Sequence, residues 1–194
     1  MRLFIKRFLF LIGFILTLPL ILLTYLELAL LGKSAERVYH SCKEIVAMIP
    51  TAIGQYMRLG YYWAVCTHVS LDATFGFGSI LAHRDITIGP GTVIGGYSII
   101  GFAEIGKNVL FGARVSVISG KYQHGKPGQR ANGDTVTEEY SRIKIGDNSW
   151  IGEGAVILSH VGSNCTVGAG SVVLKEVADN ITVLGNPARK VSLN

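Results

Sequence analysis

The chain has 194 residues, 49% of them hydrophobic and only 16% charged, with a formal net charge of +5. That balance excludes a disordered chain, and 24 glycines against five prolines suit many tight corners rather than a Pro/Gly-rich coil. The basic residues are scattered or flank an apolar N-terminus, so no aromatic-interleaved basic stripe marks a nucleic-acid surface, and anionic lipid or cofactor phosphates suit the charge better.

Phe8 to Leu31 is almost unbroken apolar sequence, with Glu27 its only charge. As a helix it would reach about 36 Å at 1.5 Å per residue, against a hydrocarbon core of about 30 Å. It is longer than a signal h-region, and no small-residue cleavage site follows. Residues 1–33 are therefore read as a membrane segment. Arg2, Lys6 and Arg7 precede it and Lys33, Arg37 and Lys43 follow it, so the positive-inside rule chooses no orientation. Pro19 removes a helix hydrogen bond near the middle. The segment is expected either as a kinked single span or as two half-helices that return at Pro19 to the same face.

Residues 34–68 read as an amphipathic, interfacial helical linker. Ser34 is placed to cap a helix, with Arg37 at the capping-box position. Val38, Ile45, Val46 and Ile49 fall on one face, Lys43 and Glu44 off it, and Pro50 ends the run. A helix lying on the membrane surface fits. The aromatic-rich stretch after it, which carries Arg58, reads as a packed linker or an interfacial platform. Cys42, Cys66 and Cys165 make no CxxC pair, and their odd number argues for a reduced, cytosol-facing protein.

From position 88 the chain repeats. Apolar residues recur at Ile88, Ile94, Ile100, then Ile105, Phe111, Val117, then Ile145, Ile151, Ile157, then Val161, Val167, Val173. Nine of these twelve are followed directly by Gly, where about one or two would be expected from 24 glycines in 194 residues. A small or β-branched residue often falls four places on, as at Thr92, Ser98, Val109, Val115 and Ser171. A period of six is neither the two of a strand nor the 3.6 of a helix. Six residues make one flat side of a coil, three sides close a turn, and stacked coils pair their backbones as in a β-solenoid. Gly beside the apolar residue is expected to permit the corner. Val69–Ile80 reads as a degenerate first coil, so the solenoid domain covers 69–194.

Between Val117 and Ile145 the rhythm stops. The excursion, residues 118–144, carries His124, Lys126, Arg130, Glu138, Glu139 and Tyr140. A long irregular loop inside a regular solenoid is where function concentrates.

The repeat, and above all the closing stretches IKIGDNSWIGEGAVIL, VGAGSVVLKEV and VLGNPARKV, resembles the hexapeptide-repeat acyltransferases, in particular the branch acting on sugars and exopolysaccharide precursors. The resemblance implies a left-handed parallel β-helix, a homotrimer with active sites between neighbouring subunits, and acetyl-CoA as acyl donor without a metal. It makes His124 the general base, followed by Arg130, with Gly125 where Pro is common. Imidazole titrates near neutrality, so it can take a hydroxyl proton and return it to the leaving thiolate. The match puts Trp150, Gly152, Ala169 and Gly170 along the pantetheine arm, the last two through exposed backbone, and Lys175 and Arg189 on the nucleotide and its phosphates. His83, Tyr122 and Arg130 are candidates for the acceptor pocket. His160 reads as a corner residue, His68 as structural and His40 as interfacial. Two other classes remain open: a γ-carbonic-anhydrase-like metal enzyme on the same fold, which needs three converging histidines, and a non-catalytic trimeric scaffold. The apolar segment points to a glycan acceptor that is lipid-linked or made at the cytosolic face of the inner membrane.

Overall fold

A computed structural model describes residues 2–32, 35–119 and 141–192. Three helices lead: α1 (Arg2–Leu31), α2 (Arg37–Ala47) and α3 (Thr51–Val65). Sixteen short strands follow. β1 (His68–Val69), β2 (Thr74–Phe75) and β3 (Ile80–Leu81) make the first coil. β4 (Thr87–Ile88), β5 (Val93–Ile94) and β6 (Ile99–Ile100) make the second, and β7 (Ala103–Ile105), β8 (Leu110–Phe111) and β9 (Ser116–Val117) the third. β10 (Ile143–Ile145), β11 (Trp150–Ile151) and β12 (Val156–Ile157) make the fourth. β13 (Thr166–Val167) and β14 (Val172–Val173) belong to the fifth, and β15 (Thr182–Leu184) and β16 (Arg189–Val191) close the stack.

Like sides stack into three sheets, ordered β1-β4-β7-β10, β2-β5-β8-β11-β13-β15-β16 and β3-β6-β9-β12-β14. Every pairing is parallel except β15 with β16. Single bridges from Ile145 to Val161 and from Val161 to Val177 continue the first sheet. The protein is therefore a three-sided parallel β-helix, the solenoid that the six-residue period demands. All twelve repeat residues point inward and are buried, with Val69, Phe75 and Leu81 doing the same in the first coil. Burying each such side chain contributes about 1.5–3 kcal/mol.

A Cβ on the repeat glycines would obstruct these corners, as expected, and the obstruction comes from the next coil. A Cβ on Gly89 would lie 2.6 Å from the Gly106 backbone, and one on Gly146 2.5 Å from Ser163 N. They let successive coils approach. The left-handed corner conformation falls two residues later, at Asn108, Asn148, Asn164 and Asn180, with φ of 54–60°, and on the next edge at Tyr97 and Arg114. The three repeat residues without a following Gly, Val117, Ile157 and Val173, all lie on the third sheet. Hydroxyls four places on stitch the coils: Thr92 donates to the Gly106 carbonyl (2.8 Å) and Ser149 to that of Gly162 (2.7 Å).

The helices cover the open first coil. α3 packs on β1 and β2, α2 on β3, and α1 lies outside both, mainly on α3. α1 runs unbroken through Pro19, so the chain does not turn back there. Backbone meets backbone at the α1–α3 crossing, where a Cβ on Gly60 would lie 2.8 Å from Phe14 Cα. The aromatic stretch after Pro50 forms the helix α3. α2 begins after Glu36, which makes no side-chain cap; Ser34 lies outside the described residues. Its buried face is Tyr39, Cys42, Lys43, Val46 and Ala47, so of the apolar set read from the sequence Val46 turns inward and Ile45 is exposed. Lys43 is accommodated because its ammonium donates to Ala82 O (2.9 Å) and meets His40 Nδ1 (2.6 Å).

Candidate functional site

The corner from the third sheet to the first is the edge where the repeat is interrupted. The interrupting loop leaves it after β9 and returns into β10. Its base is closed: Ser141 N donates to Ser119 O (2.8 Å), Ile143 N to Phe102 O (2.9 Å), and Phe102 N to Ser119 Oγ (2.8 Å). A closed base holds a long excursion without disturbing the coils, which pair Ile105 with Ile145 across the gap through Ala103–Glu104–Ile105 against Ile143–Lys144–Ile145. His124, Tyr122 and Arg130 fall in the loop and lie outside the described residues.

Beside the base, Arg142 donates to Asp85 (2.7 Å) and stacks over Phe102 at 4.2 Å. Asp85 also accepts from Thr67 Oγ1 (3.1 Å). His83, on the same edge two coils toward the helices, meets Glu36 through Nδ1 at 3.2 Å and packs edge-on against Phe102. Glu36 also accepts from Arg84 N (3.1 Å). Burial alone would raise the Glu36 carboxyl; the His83 hydrogen bond, the Arg84 amide and the charges of both outweigh it and hold it below the usual carboxylate range. A carboxylate thus orients the His83 ring, which reaches the loop base through Phe102. This Glu36–His83–Asp85–Arg142 cluster was missed in the sequence, because its members come from separate elements.

His160 lies on the same edge one coil beyond the loop, where Lys144 N donates to its Nδ1 (3.0 Å). It borders a hollow of about 560 Å³ on the first sheet, with Glu104, Lys144, Asp147 and Glu176. No expected site residue lines that hollow, so it is not read as the centre. His68 is exposed on β1, and His40 is exposed beside Lys43.

The residues expected to hold the cofactor divide between two edges. Trp150 is half-exposed on the second sheet, and Gly152, Ala169 and Gly170 follow on the corner from the second sheet to the third. Gly152 is buried and spaces the coils, since a Cβ there would lie 2.5 Å from Ala169 N. The Gly170 N–H donates to Glu153 O (2.8 Å), which leaves carbonyls rather than that N–H for any ligand contact there. Lys175 stands on the loop's own edge. It shares a hollow of about 430 Å³ with Arg189, Lys190, Ala178 and Ile181 at the C-terminal end of the solenoid. The structure therefore brings Lys175 together with Arg189, and Gly152 with Ala169 and Gly170, while the third sheet separates this last group from the loop.

Two family profiles match the chain: the bacterial transferase hexapeptide (six repeats) over residues 142–175, and the hexapeptide repeat of succinyl-transferase over residues 102–120. Both fall on the coils flanking the loop. No curated protein matches the sequence. Among solved structures, a maltose O-acetyltransferase from Clostridium difficile 630 is 25% identical, covering 81% of this chain and 85% of that one, with a TM-score of 0.68. A hexapeptide-repeat acetyltransferase from Vibrio cholerae O1 biovar eltor, complexed with acetyl coenzyme A, is 23% identical over 83% and 90% of the two chains, with a TM-score of 0.69. PerB from Caulobacter crescentus, in complex with CoA and GDP-perosamine, is 19% identical with a TM-score of 0.44, and the match spans about half of it, 55%. Repeat, coil geometry and matches agree: the chain carries hexapeptide repeats of the bacterial transferase type, on a fold similar to that of solved acetyltransferases.

Proposed function

We propose that the chain moves an acetyl group from acetyl-CoA to a hydroxyl, rather than an amine, of a sugar in a glycan or lipid-linked polysaccharide precursor. The observation that carries this reading is the likeness to the maltose O-acetyltransferase over 85% of that chain. In the proposed reaction His124 takes the acceptor proton as the hydroxyl oxygen bonds to the thioester carbonyl carbon. The tetrahedral intermediate collapses with cleavage of the C–S bond, and the imidazolium returns the proton to the CoA thiolate. No acyl-enzyme is required, and Cys165 is buried in the solenoid.

Tyr122 and Arg130 on the loop and His83 beside its base would hold the acceptor. Trp150, Gly152, Ala169 and Gly170 would border the pantetheine arm, and Lys175 and Arg189 would meet the phosphates. The hollow that Lys175 and Arg189 share supports the last assignment. The separation of the loop edge from the Gly152–Gly170 edge supports a homotrimer whose active sites lie between subunits, one copy giving the loop and its neighbour the wall. An apolar helix of mean hydropathy 2.5 supports work at the cytosolic face of the inner membrane on an acceptor held there.

The test is thiol release from acetyl-CoA by purified full-length protein in detergent, with a panel of glycan acceptors, comparing wild type with His124→Ala. Acceptor-dependent release that falls at least ~100-fold in the variant is expected for a lost general base. Release that survives the substitution would move the base elsewhere, with His83 next.

A further inference from the structure

We infer that α1 is an in-plane membrane anchor: it lies in one leaflet along the end of the solenoid and does not cross the bilayer. The inference is independent of the acetyl-transfer chemistry.

By length and hydropathy α1 passes for a transmembrane span. Its contacts argue otherwise, because it is tied to the water-facing body along its whole length. Near its start Lys6 pairs with Asp72 of the first coil (2.9 Å). Midway, Gly13 meets the Tyr56 backbone, and Phe10 and Phe14 pack on Trp63, each 5.7 Å between centroids. Further on, Thr24 Oγ1 bonds Tyr61 OH (2.9 Å), and Tyr25 OH donates to Ala64 O (2.6 Å). Near its end the Glu27 carboxylate accepts from Val38 N (2.9 Å) at the start of α2. From Lys6 to Glu27 the helix rises about 32 Å, a full hydrocarbon thickness. If it spanned, Asp72 and Val38 would lie on opposite sides of the membrane. The part of the first coil between them, with exposed Thr67 and buried Arg84, would lie in hydrocarbon. That cost is prohibitive.

The outward face is equally definite. Phe4, Phe8, Leu11, Ile15, Leu22, Leu26 and Leu30 are each about half exposed or more, at helical spacing of three, four and seven. The one charged residue between Phe8 and Leu31, Glu27, is on the buried side. A stripe of this extent far exceeds what soluble monomers leave uncovered. Its occupant is lipid rather than a second copy. A protein interface of comparable area carries hydrogen bonds and a polar rim, whereas this face offers acyl chains nothing but aliphatic and aromatic carbon. Exposed Arg7 beside Phe8 suits anionic headgroups at its margin.

The test uses full-length protein reconstituted in phosphatidylcholine–phosphatidylglycerol vesicles, with single cysteines at Phe4, Ile15, Leu22 and Leu30. The native cysteines are buried, and burial pushes the Cys66 thiol up to about 12, so background labelling is low. An environment-sensitive dye at each site, quenched by nitroxides at known depths, should report one shallow depth for all four, within about 10 Å of the headgroups. An impermeant maleimide added outside should label Phe4→Cys and Leu30→Cys to the same extent. A depth profile that reaches the bilayer centre at Ile15, or labelling of only one end, would overturn the inference in favour of a span. Absence of lipid quenching, with cross-linking between copies at these sites, would overturn it in favour of a protein interface.

Discussion

Arg58 directs its charge at carbonyls. It is 1% exposed, and its guanidinium donates to Val46 O (3.2 Å), Ala47 O (3.3 Å) and Ile49 O (2.8 Å) at the end of α2 and to Phe75 O (3.2 Å) in β2. A cation at a helix C-terminus completes the carbonyls that the helix leaves open and opposes its dipole. One side chain thereby joins α2, α3 and the first coil. Arg58→Met keeps the stem and removes the donors, leaving buried carbonyls unsatisfied. Denaturant unfolding of the full chain in detergent should show a loss of about 2–4 kcal/mol; a loss below about 0.5 kcal/mol would mean that water replaces the guanidinium. Nothing local in the sequence marks Arg58 as central, since its partners are backbone atoms of other elements. The asparagine ladder, by contrast, follows a local spacing, although it was not singled out from the sequence. Asn108, Asn148, Asn164 and Asn180 each fall three places after a first-sheet apolar residue, and their side chains bond one another at 3.2–3.3 Å.

At the scale of elements, legibility follows the range of the forces involved. The coils repeat a local rule, so period and following glycine exposed them, and the loop is visible as the place where the rule lapses. The helices are set by tertiary contact. Gly54 and Gly60 interrupt the pattern of α3 yet are required by the close approach of Ile49 and Phe14. Lys43 reads as a surface residue until Ala82 O is placed beside it. The clasp between α2 and the loop edge is testable through pH. Glu36 has its carboxyl held below the value near 4.5 expected when unfolded. Its stabilising contribution is therefore complete above that value and is lost as pH falls through the folded one. Acidification below about pH 4.5 should lower the melting temperature of wild type more steeply than that of Glu36→Gln. At pH 7 the variant should already be less stable, by about 2 kcal/mol for a lost ionic hydrogen-bond set. Parallel curves for the two proteins would show that Glu36 does not hold this clasp.

For the whole molecule, the layers set distances. With α1 in the leaflet, α2 and α3 form a middle layer about 10 Å thick, and coils rise beyond it in steps of about 4.8 Å. The loop base lies between the third and fourth coils, roughly 30 Å above α1 on those spacings. The same layout governs how the active site is assembled. The loop base and the Gly152–Gly170 corner stand on opposite edges of the third sheet, so in the proposed trimer each loop would meet the neighbour's cofactor wall. This yields a complementation test. His124→Ala removes the proposed base, and Ala169→Trp places an indole on the exposed corner where pantetheine would run. Each variant alone should be inactive. Unfolded and refolded together in equal amounts, they should recover roughly a quarter of the wild-type rate, because random mixing in a cyclic trimer pairs an intact loop with an intact wall at one site in four. If the mixture stays inactive although mixed trimers are demonstrated by differently tagged subunits, each site is built within one subunit, and the loop must instead reach across the third sheet of its own chain.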